Sequence, residues 1–239
     1  MTSPASPFPN GEGIFETLRT EDGEIIELAR HMRRAVKSAK ALKISMPPEG
    51  EIRDRIAKVL ALSHLPLGRL RICIAQDQLN ISHDTYEEPL EGAFLTFHPH
   101  TSKLAGVQHK RYPYHDRLHI VEEAKNLGFD DAIVFDSSNQ VTETGISNIA
   151  FLFENTWWTP PIGVGILPGV MRALAIEQCG VKVRDIHISE VPEAREIVLL
   201  GSLRIVQPVQ QLGEMRLAQE AGKEFRAQMQ GKLQRFSVG

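Results

Sequence analysis

Residues 131–180 read DAIVFDSSNQVTETGISNIAFLFENTWWTPPIGVGILPGVMRALAIEQCG, and the order of elements within them decides the fold class. DAIVFD (131–136) is a short apolar run closed by Ser137-Ser138-Asn139, a turn by composition, and SNIAFLF (147–153) is a second strand. GVGILPG (163–169) is a glycine-rich approach to a helix. With Pro168 near its start and Gly180 past its end, the spacing predicts a helix over Gly169–Cys179. Two strands in succession and then one helix do not make the regular strand–helix–strand alternation of a doubly wound sheet.

The same mixture extends outward. Gly13–Thr20 and Glu24–Leu28 flank a turn containing Asp22-Gly23, which predicts a hairpin. Leu28, Met32, Ala35, Val36, Ala39 and Leu42 recur at helical spacing, Pro47-Pro48 ends that segment, and Glu51–Ser63 repeats the pattern. Gly68–Gln76 and Ala93–His98 read as strands, whereas His98–Gln108 (HPHTSKLAGVQ) is a stretch of loop formers. Leu118–Leu127 and the tail, Met215–Leu233, read as helices. The expected class is α+β, with a smaller N-terminal domain over 1–100, a linker over 101–108 and a C-terminal domain over 109–239.

Composition narrows the function. Of 239 residues 42% are hydrophobic and 24% charged, as in ordinary globular proteins, and a net charge of −3 argues against a polyanionic partner such as nucleic acid. Cys73 and Cys179 are too few for a disulfide framework and do not form a CxxC. Residues 1–12 (MTSPASPFPNGE) carry no secretory pattern, and no apolar run approaches the ~20 residues that span a bilayer. The expectation is a soluble, cytoplasmic enzyme of a small molecule.

Taken singly, the candidate motifs are modest. GVGILPG lacks the GxGxxG spacing and an acidic partner, which argues against a dinucleotide; a simple phosphate against amides near Val170 and Met171 stays open. His98, His100, His109, His115 and His119 cluster, but without an HExxH they read as surface and loop histidines, so no metal is expected. Nothing in the chain has the spacing of an acyl-transfer nucleophile. Arg33-Arg34 by itself reads as a solvated helix face, and Glu143 as a turn or capping residue.

Their order is more specific. FETLRTEDG, RHMRRAVKSAKAL, LAGVQHKRYPYHDRLHIVEEA, VTETGISNIAF, GILPGVMR and IVQPV follow one another from Gly11 to about Leu233. In this order they resemble the fold-type IV pyridoxal-phosphate enzymes, which include branched-chain and D-amino acid aminotransferases and 4-amino-4-deoxychorismate lyases. The resemblance implies a two-domain fold, pyridoxal 5'-phosphate as cofactor, a homodimer and a small amine substrate. FETLR and LAGVxHK resemble most the aminodeoxychorismate lyases, which release 4-aminobenzoate and pyruvate. The alternative within the family is an aminotransferase using a 2-oxo acid acceptor.

The resemblance also implies roles. Lys110, fourteen residues before Ala124, corresponds to the lysine that bonds the cofactor as a Schiff base and moves the substrate proton. Glu143 corresponds to the carboxylate at the pyridine nitrogen, and Asn148 holds its loop. Arg34 corresponds to the phosphate arginine, Val170 and Met171 to the helix amides facing the phosphate, and Gly201 and Ser202 to a second phosphate turn. Arg19, Arg204 and Phe15 are the expected substrate contacts. Departures from the pattern are Pro113, Met171 in place of a threonine, and AQDQLNISH (75–83), which lacks the arginines that usually hold substrate carboxylates.

Overall fold

The computed structural model describes residues 8–9, 11–76 and 78–237. Residues 1–7 and 10, which carry most of the leader reading, Asp77 of AQDQLNISH, and the outer ends of the two expected domains lie outside the described residues. The chain opens with β1 (Gly13–Glu21), β2 (Glu24–Ile26), α1 (Leu28–Leu42), α2 (Glu49–Leu62), β3 (Leu67–Ala75) and β4 (Gln78–Thr85). Next come β5 (Ala93–Phe97), β6 (Arg111–Tyr112), α3 (His115–Asn126), β7 (Asp131–Phe135), β8 (Val141–Thr144), β9 (Asn148–Phe153) and β10 (Thr156–Thr159). The rest is α4 (Val170–Gln178), β11 (Lys182–Val183), β12 (Glu196–Gly201), β13 (Ile205–Leu212), β14 (Met215–Arg216), α5 (Glu220–Gln230) and β15 (Arg235–Phe236). Helices and strands mix without alternation, so the class is α+β.

Contacts group the chain into two compact units that interleave in sequence. One holds Met1–Glu88, His109–Pro113 and Leu233–Gly239; the other holds Pro89–Gln108 and Tyr114–Lys232.

In the first unit an antiparallel sheet runs β15-β2-β1-β3-β4, with β6 also on β1. Asp22 and Gly23, the two residues joining β1 to β2, both have positive φ (48° and 85°), the conformation of the tight hairpin turn that Asp-Gly favours. Alternation along β1 sends Ile14, Glu16 and Leu18 to one face and Phe15, Thr17 and Arg19 to the other. The first face is covered by α1 and α2: Leu28, Met32, Ala35, Ala39, Ile52 and Ile56 pack with Ile14, Leu18, Leu70, Ile72 and Ile74. Val36 falls instead on the solvent side of α1 at 53% exposure. β4 was not anticipated; at the sheet edge only alternate residues such as Leu79 and Ile81 need be apolar, and the rest of QLNISHDT is polar.

The second unit is built on a mixed sheet in the order β11-β10-β9-β12-β13-β5-β7-β8, with β14 beside β13. Leu95, Ile133, Val141, Ile149, Phe151, Ile197, Leu199 and Val209 form its core. The tail corrects the expectation of one helix over Met215–Leu233. Met215-Arg216 pair antiparallel with Leu212 and Gln211, and the helix occupies only Glu220–Gln230. Phe225 of α5 stacks on Trp157 of β10 with ring centroids 5.3 Å apart. Glu143 sits in a fully buried strand, β8, not in a turn.

Candidate active site

In the second unit the site is built around β8. The β7–β8 connection is pinned by Asp136, whose Oδ1 accepts from Ser138 N at 2.8 Å and Gln140 N at 2.9 Å, with Asn139 in the left-handed region (φ 59°). The far end of β8 is pinned by Asp131, the first residue of β7. Its fully buried carboxylate accepts from the Thr144 hydroxyl (2.7 Å), Gly145 N (2.8 Å), Ile146 N (3.3 Å) and Ala132 N (2.8 Å). Burial pushes the Asp131 carboxyl upward, against these donors, which pull it down. A strand of polar residues (Thr142, Glu143, Thr144) is thus buried at tolerable cost because its polar atoms find partners; the Thr142 hydroxyl also donates to Val134 O at 3.0 Å.

Between those pins lies Glu143. Its Oε2 accepts from Asn148 Nδ2 at 3.0 Å, both oxygens are 3.2 Å from Leu167 N, and Arg117 Nη2 of α3 donates to Oε1. Asn148 also donates to Leu167 O at 3.0 Å, tying β9 to the approach to α4. Gly169 ends that approach, and only glycine fits there: a Cβ would stand 1.8 Å from Asn148 Oδ1. The helix then begins at Val170 and Met171, both buried, after an N-cap, Gly169, that has no side chain to cap its first amides. Arg172 in the same turn donates to Pro160 O at 2.7 Å; burial pushes its pKa down to about 10 against the pull of Glu143. Gly201 and Ser202 lie at the β12–β13 turn, where a Cβ on Gly201 would be 3.6 Å from Ser147 Oγ. Arg204 donates to Gln207 Oε1 at 2.8 Å.

In the first unit Lys110 lies beside β6, its carbonyl accepting from Phe15 N at 2.9 Å and its Nζ 4.5 Å from the centre of the Phe15 ring. Two expected residues, Lys110 and Phe15, are therefore neighbours on the helix-free face of the sheet. Arg34 is on the opposite face. Its Nε and Nη2 grip the two oxygens of Glu16, and His31 Nδ1 is 2.7 Å from Glu16 Oε2. Burial, which alone would raise the Glu16 pKa, is outweighed by Arg34 and His31, which hold it down to about 2. Arg19 meets Glu21 at 2.6 Å and Glu88 at 3.0 Å, so its charge is matched within the unit.

Sequence reasoning missed four contributors: Glu16, His31, Arg71 and Arg117. Arg71 stands on β3 opposite Thr17, on the Phe15 face, with its guanidinium carbon 6.0 Å from the Phe15 ring centre and 5.4 Å from that of Phe8. Its Nε is buried without a hydrogen-bond partner among the described residues. Burial and the neighbouring Arg69 push its pKa down. The signal was present in GRLRICIA, where Arg69, Arg71 and Cys73 alternate with Leu70, Ile72 and Ile74. Cys73, on the same face, is held protonated by burial, with its pKa pushed up to about 12. Of the histidines, His98 and His119 share Glu123 at 3.0 and 3.3 Å, and among the described residues no group of three or more metal-ligating side chains comes together.

Among known proteins, the profile of the class IV amino-transferases matches residues 13–212. The chain is 27% identical over 184 residues to a Rickettsia felis protein provisionally named branched-chain-amino-acid aminotransferase, covering 69% of this chain and 63% of that one. It thus spans less than two thirds of the length of that relative. To aminodeoxychorismate lyase of Bacillus subtilis it is 24% identical over 254 residues, covering 91% of this chain and 85% of the lyase. A Legionella pneumophila structure provisionally assigned as 4-amino-4-deoxychorismate lyase superimposes with a TM-score of 0.82 at 22% identity, covering 97% and 96% of the two chains. A Brucella abortus aminotransferase solved with pyridoxal phosphate gives 0.76 at 23% identity, covering 92% and 88%. These solved structures share the fold, and the profile spans most of the sequence. The chain belongs to the class IV amino-transferase family.

Proposed function

We propose that this family member is a pyridoxal-phosphate lyase that converts 4-amino-4-deoxychorismate to 4-aminobenzoate and pyruvate. The observation that carries the cofactor assignment is the buried carboxylate of Glu143 on β8, fixed by Asn148, the Leu167 amide and Arg117, beside a helix start whose N-cap, Gly169, offers no side chain. Those groups fit the cofactor's ring nitrogen and its phosphate, with Val170, Met171, Gly201 and Ser202 on the phosphate side. Arg34 supplies the phosphate-binding guanidinium, aimed by its bidentate pair with Glu16. Lys110 supplies the primary amine that the cofactor's aldehyde requires. Pyridoxal phosphate, when bound, supplies an electron sink for a carbon that has lost a proton.

The chain's own residues do the rest. Lys110 Nζ takes and returns the substrate proton, and the aromatic face of Phe15 beneath it steadies the charged form. Arg71 meets the substrate's carboxylate: its Nε is buried without a hydrogen-bond partner, and an anionic substrate would supply one. Arg71 thus fills the role for which no arginine was evident in AQDQLNISH, with Arg204 as a secondary contact. Arg19 is already charge-matched and serves mainly to order β1. The match over 91% of this chain to the Bacillus subtilis lyase favours this chemistry. The similarity to the Rickettsia felis protein supports a second reading, an aminotransferase with the same Lys110 and Glu143 and a 2-oxo acid acceptor.

Assembly as a homodimer and work in the cytoplasm belong to the same proposal. Both cysteines are free thiols, as a reducing compartment keeps them, and among the described residues no helix is long and apolar enough to cross a membrane. The deciding experiment supplies the purified, cofactor-loaded protein with 4-amino-4-deoxychorismate and no 2-oxo acid. Formation of 4-aminobenzoate and pyruvate over many turnovers supports the lyase. Turnover of amino acids that stops without an added 2-oxo acid replaces it with the aminotransferase.

A further inference from the structure

Arg117 reaches from α3 to two consecutive residues of β8. Its Nη2 donates to Glu143 Oε1 and its Nη1 lies 3.4 Å from the Thr144 carbonyl. A carboxylate offers about four lone-pair positions. On Glu143 three donors share them: Arg117 Nη2, Asn148 Nδ2 and the single Leu167 amide, which lies 3.2 Å from each oxygen. Of these donors Arg117 alone carries a full charge. The pair is sheltered, with side-chain exposures of 14% for Arg117 and 5% for Glu143. The other charged groups around β8 act differently. Arg172 of α4 is a second cation attracted by Glu143 but donates its hydrogen bond to Pro160 O, and Asp131 of β7 turns its carboxylate to Thr144, Gly145 and Ile146.

We propose that Arg117 is a positioning residue that sets how strongly Glu143 can hold a proton on the cofactor's ring nitrogen. The inference rests on the assignment of Glu143 to that nitrogen. A carboxylate shared with a guanidinium presents less negative potential to a second cation, so the ring nitrogen gives up its proton at a lower pH than it would opposite a lone carboxylate. The proton then belongs to the coupled group of Glu143 and ring nitrogen, biased by a fixed cation. The second contact, to the Thr144 carbonyl, gives the guanidinium a second anchor that a single-point ammonium lacks. A family member with this clasp has a weaker electron sink, suited to a reaction in which the departing group itself accepts electrons.

The test loads the enzyme with pyridoxal phosphate labelled with 15N in its ring and follows that resonance against pH. Neutral Arg117→Met is expected to raise the titration of the ring nitrogen by about one to two pH units, the effect of removing one cation at hydrogen-bonding range. Arg117→Lys, which keeps the charge but loses the second contact, is expected to shift the titration by less than Arg117→Met; should Arg117→Met not fold, Arg117→Gln takes its place. Unshifted curves for the neutral variants, with a shifted curve for Glu143→Gln, overturn the role of Arg117 alone. If Glu143→Gln also leaves the resonance unmoved, the assignment of Glu143 itself falls.

Discussion

Arg34 holds Glu16 by two parallel donors, Nε to Oε1 at 2.8 Å and Nη2 to Oε2 at 2.5 Å, across the α1–β1 contact. A guanidinium gripped this way cannot rotate, so whatever else it binds must approach from a fixed direction. The pair is also a stability device with a defined pH range. Glu16 is held down to about 2 against an ordinary value of 4.5, so its contribution is complete above pH 4.5 and is lost as the pH falls from there toward 2. His31 is also shifted down, by burial, so it too withdraws support as acid drives it to charge below its ordinary 6.5. Glu16→Gln should therefore cost about 3–5 kcal/mol near neutral pH. Denaturant unfolding at a series of pH values should show that deficit shrinking below pH 4.5. A deficit that does not change with pH would mean Glu16 acts by shape rather than charge.

Borohydride reduction of the cofactor-loaded protein, followed by peptide mass mapping, should place the covalent adduct on Lys110. Lys103 and Lys125 are the neighbouring amines, and an adduct on either would remove Lys110 from the reaction.

Arg34 and Glu143 should fail differently. Arg34→Lys keeps a charge for Glu16 but loses the fork, so cofactor affinity should fall roughly tenfold and recover at high cofactor concentration. Glu143→Gln should retain much of the cofactor yet stay slow at saturation, because an amide cannot stabilise a protonated ring as a carboxylate does. Cofactor titration followed by turnover at saturation distinguishes the two, and the reverse pattern would exchange their assignments.

Arg71→Met should leave cofactor binding intact while lowering kcat/KM for carboxylate substrates by roughly ten- to a hundredfold, the worth of one charge-assisted hydrogen bond of about 1.5–3 kcal/mol. Arg19→Met, which breaks an ion pair already satisfied by Glu21 and Glu88, should cost stability more than substrate affinity. Steady-state kinetics beside thermal unfolding checks both.

Light scattering at micromolar concentration should report twice the chain mass, as a two-fold dimer requires. A monomer that still retains cofactor would contradict that assembly.

Where periodicity and turn chemistry agree, the fold could be read in advance. The Leu28–Met32–Ala35–Ala39 stripe of α1 and the Asp22-Gly23 turn are local signals, and both stand where expected. β4 and β8 were harder for opposite reasons. The first is an edge strand with little need of apolar residues, and the second buries Thr142, Glu143 and Thr144 because Asp131, Val134 and Asn148 lie in wait elsewhere in the chain. Of the candidate site, ordered motifs pointed to Lys110, Glu143 and Arg34. Arg71 and Arg117 escaped notice because their meaning lies in pairing. An arginine in an alternating strand looks solvated until its register opposite β1 is known, and one on a helix looks like surface until the carboxylate it faces is placed.

The interleaving of the two units has a consequence for how the molecule comes into being. Lys110 reaches its sheet on the short insertion His109–Pro113, and the edge strand β15 follows residues 114–232, where Glu27 N donates to Gln234 O at 2.9 Å and the Glu27 carboxylate accepts from Gln234 N at 2.8 Å. No continuous fragment of the chain therefore encodes the first unit. On the ribosome its hairpin and helices emerge first but wait for residues 114–232 to be synthesised before the last strand can close the edge. Closing so long a loop carries an entropic cost that local contacts cannot offset early. The lysine-bearing sheet is thus assembled from segments that lie on both sides of residues 114–232.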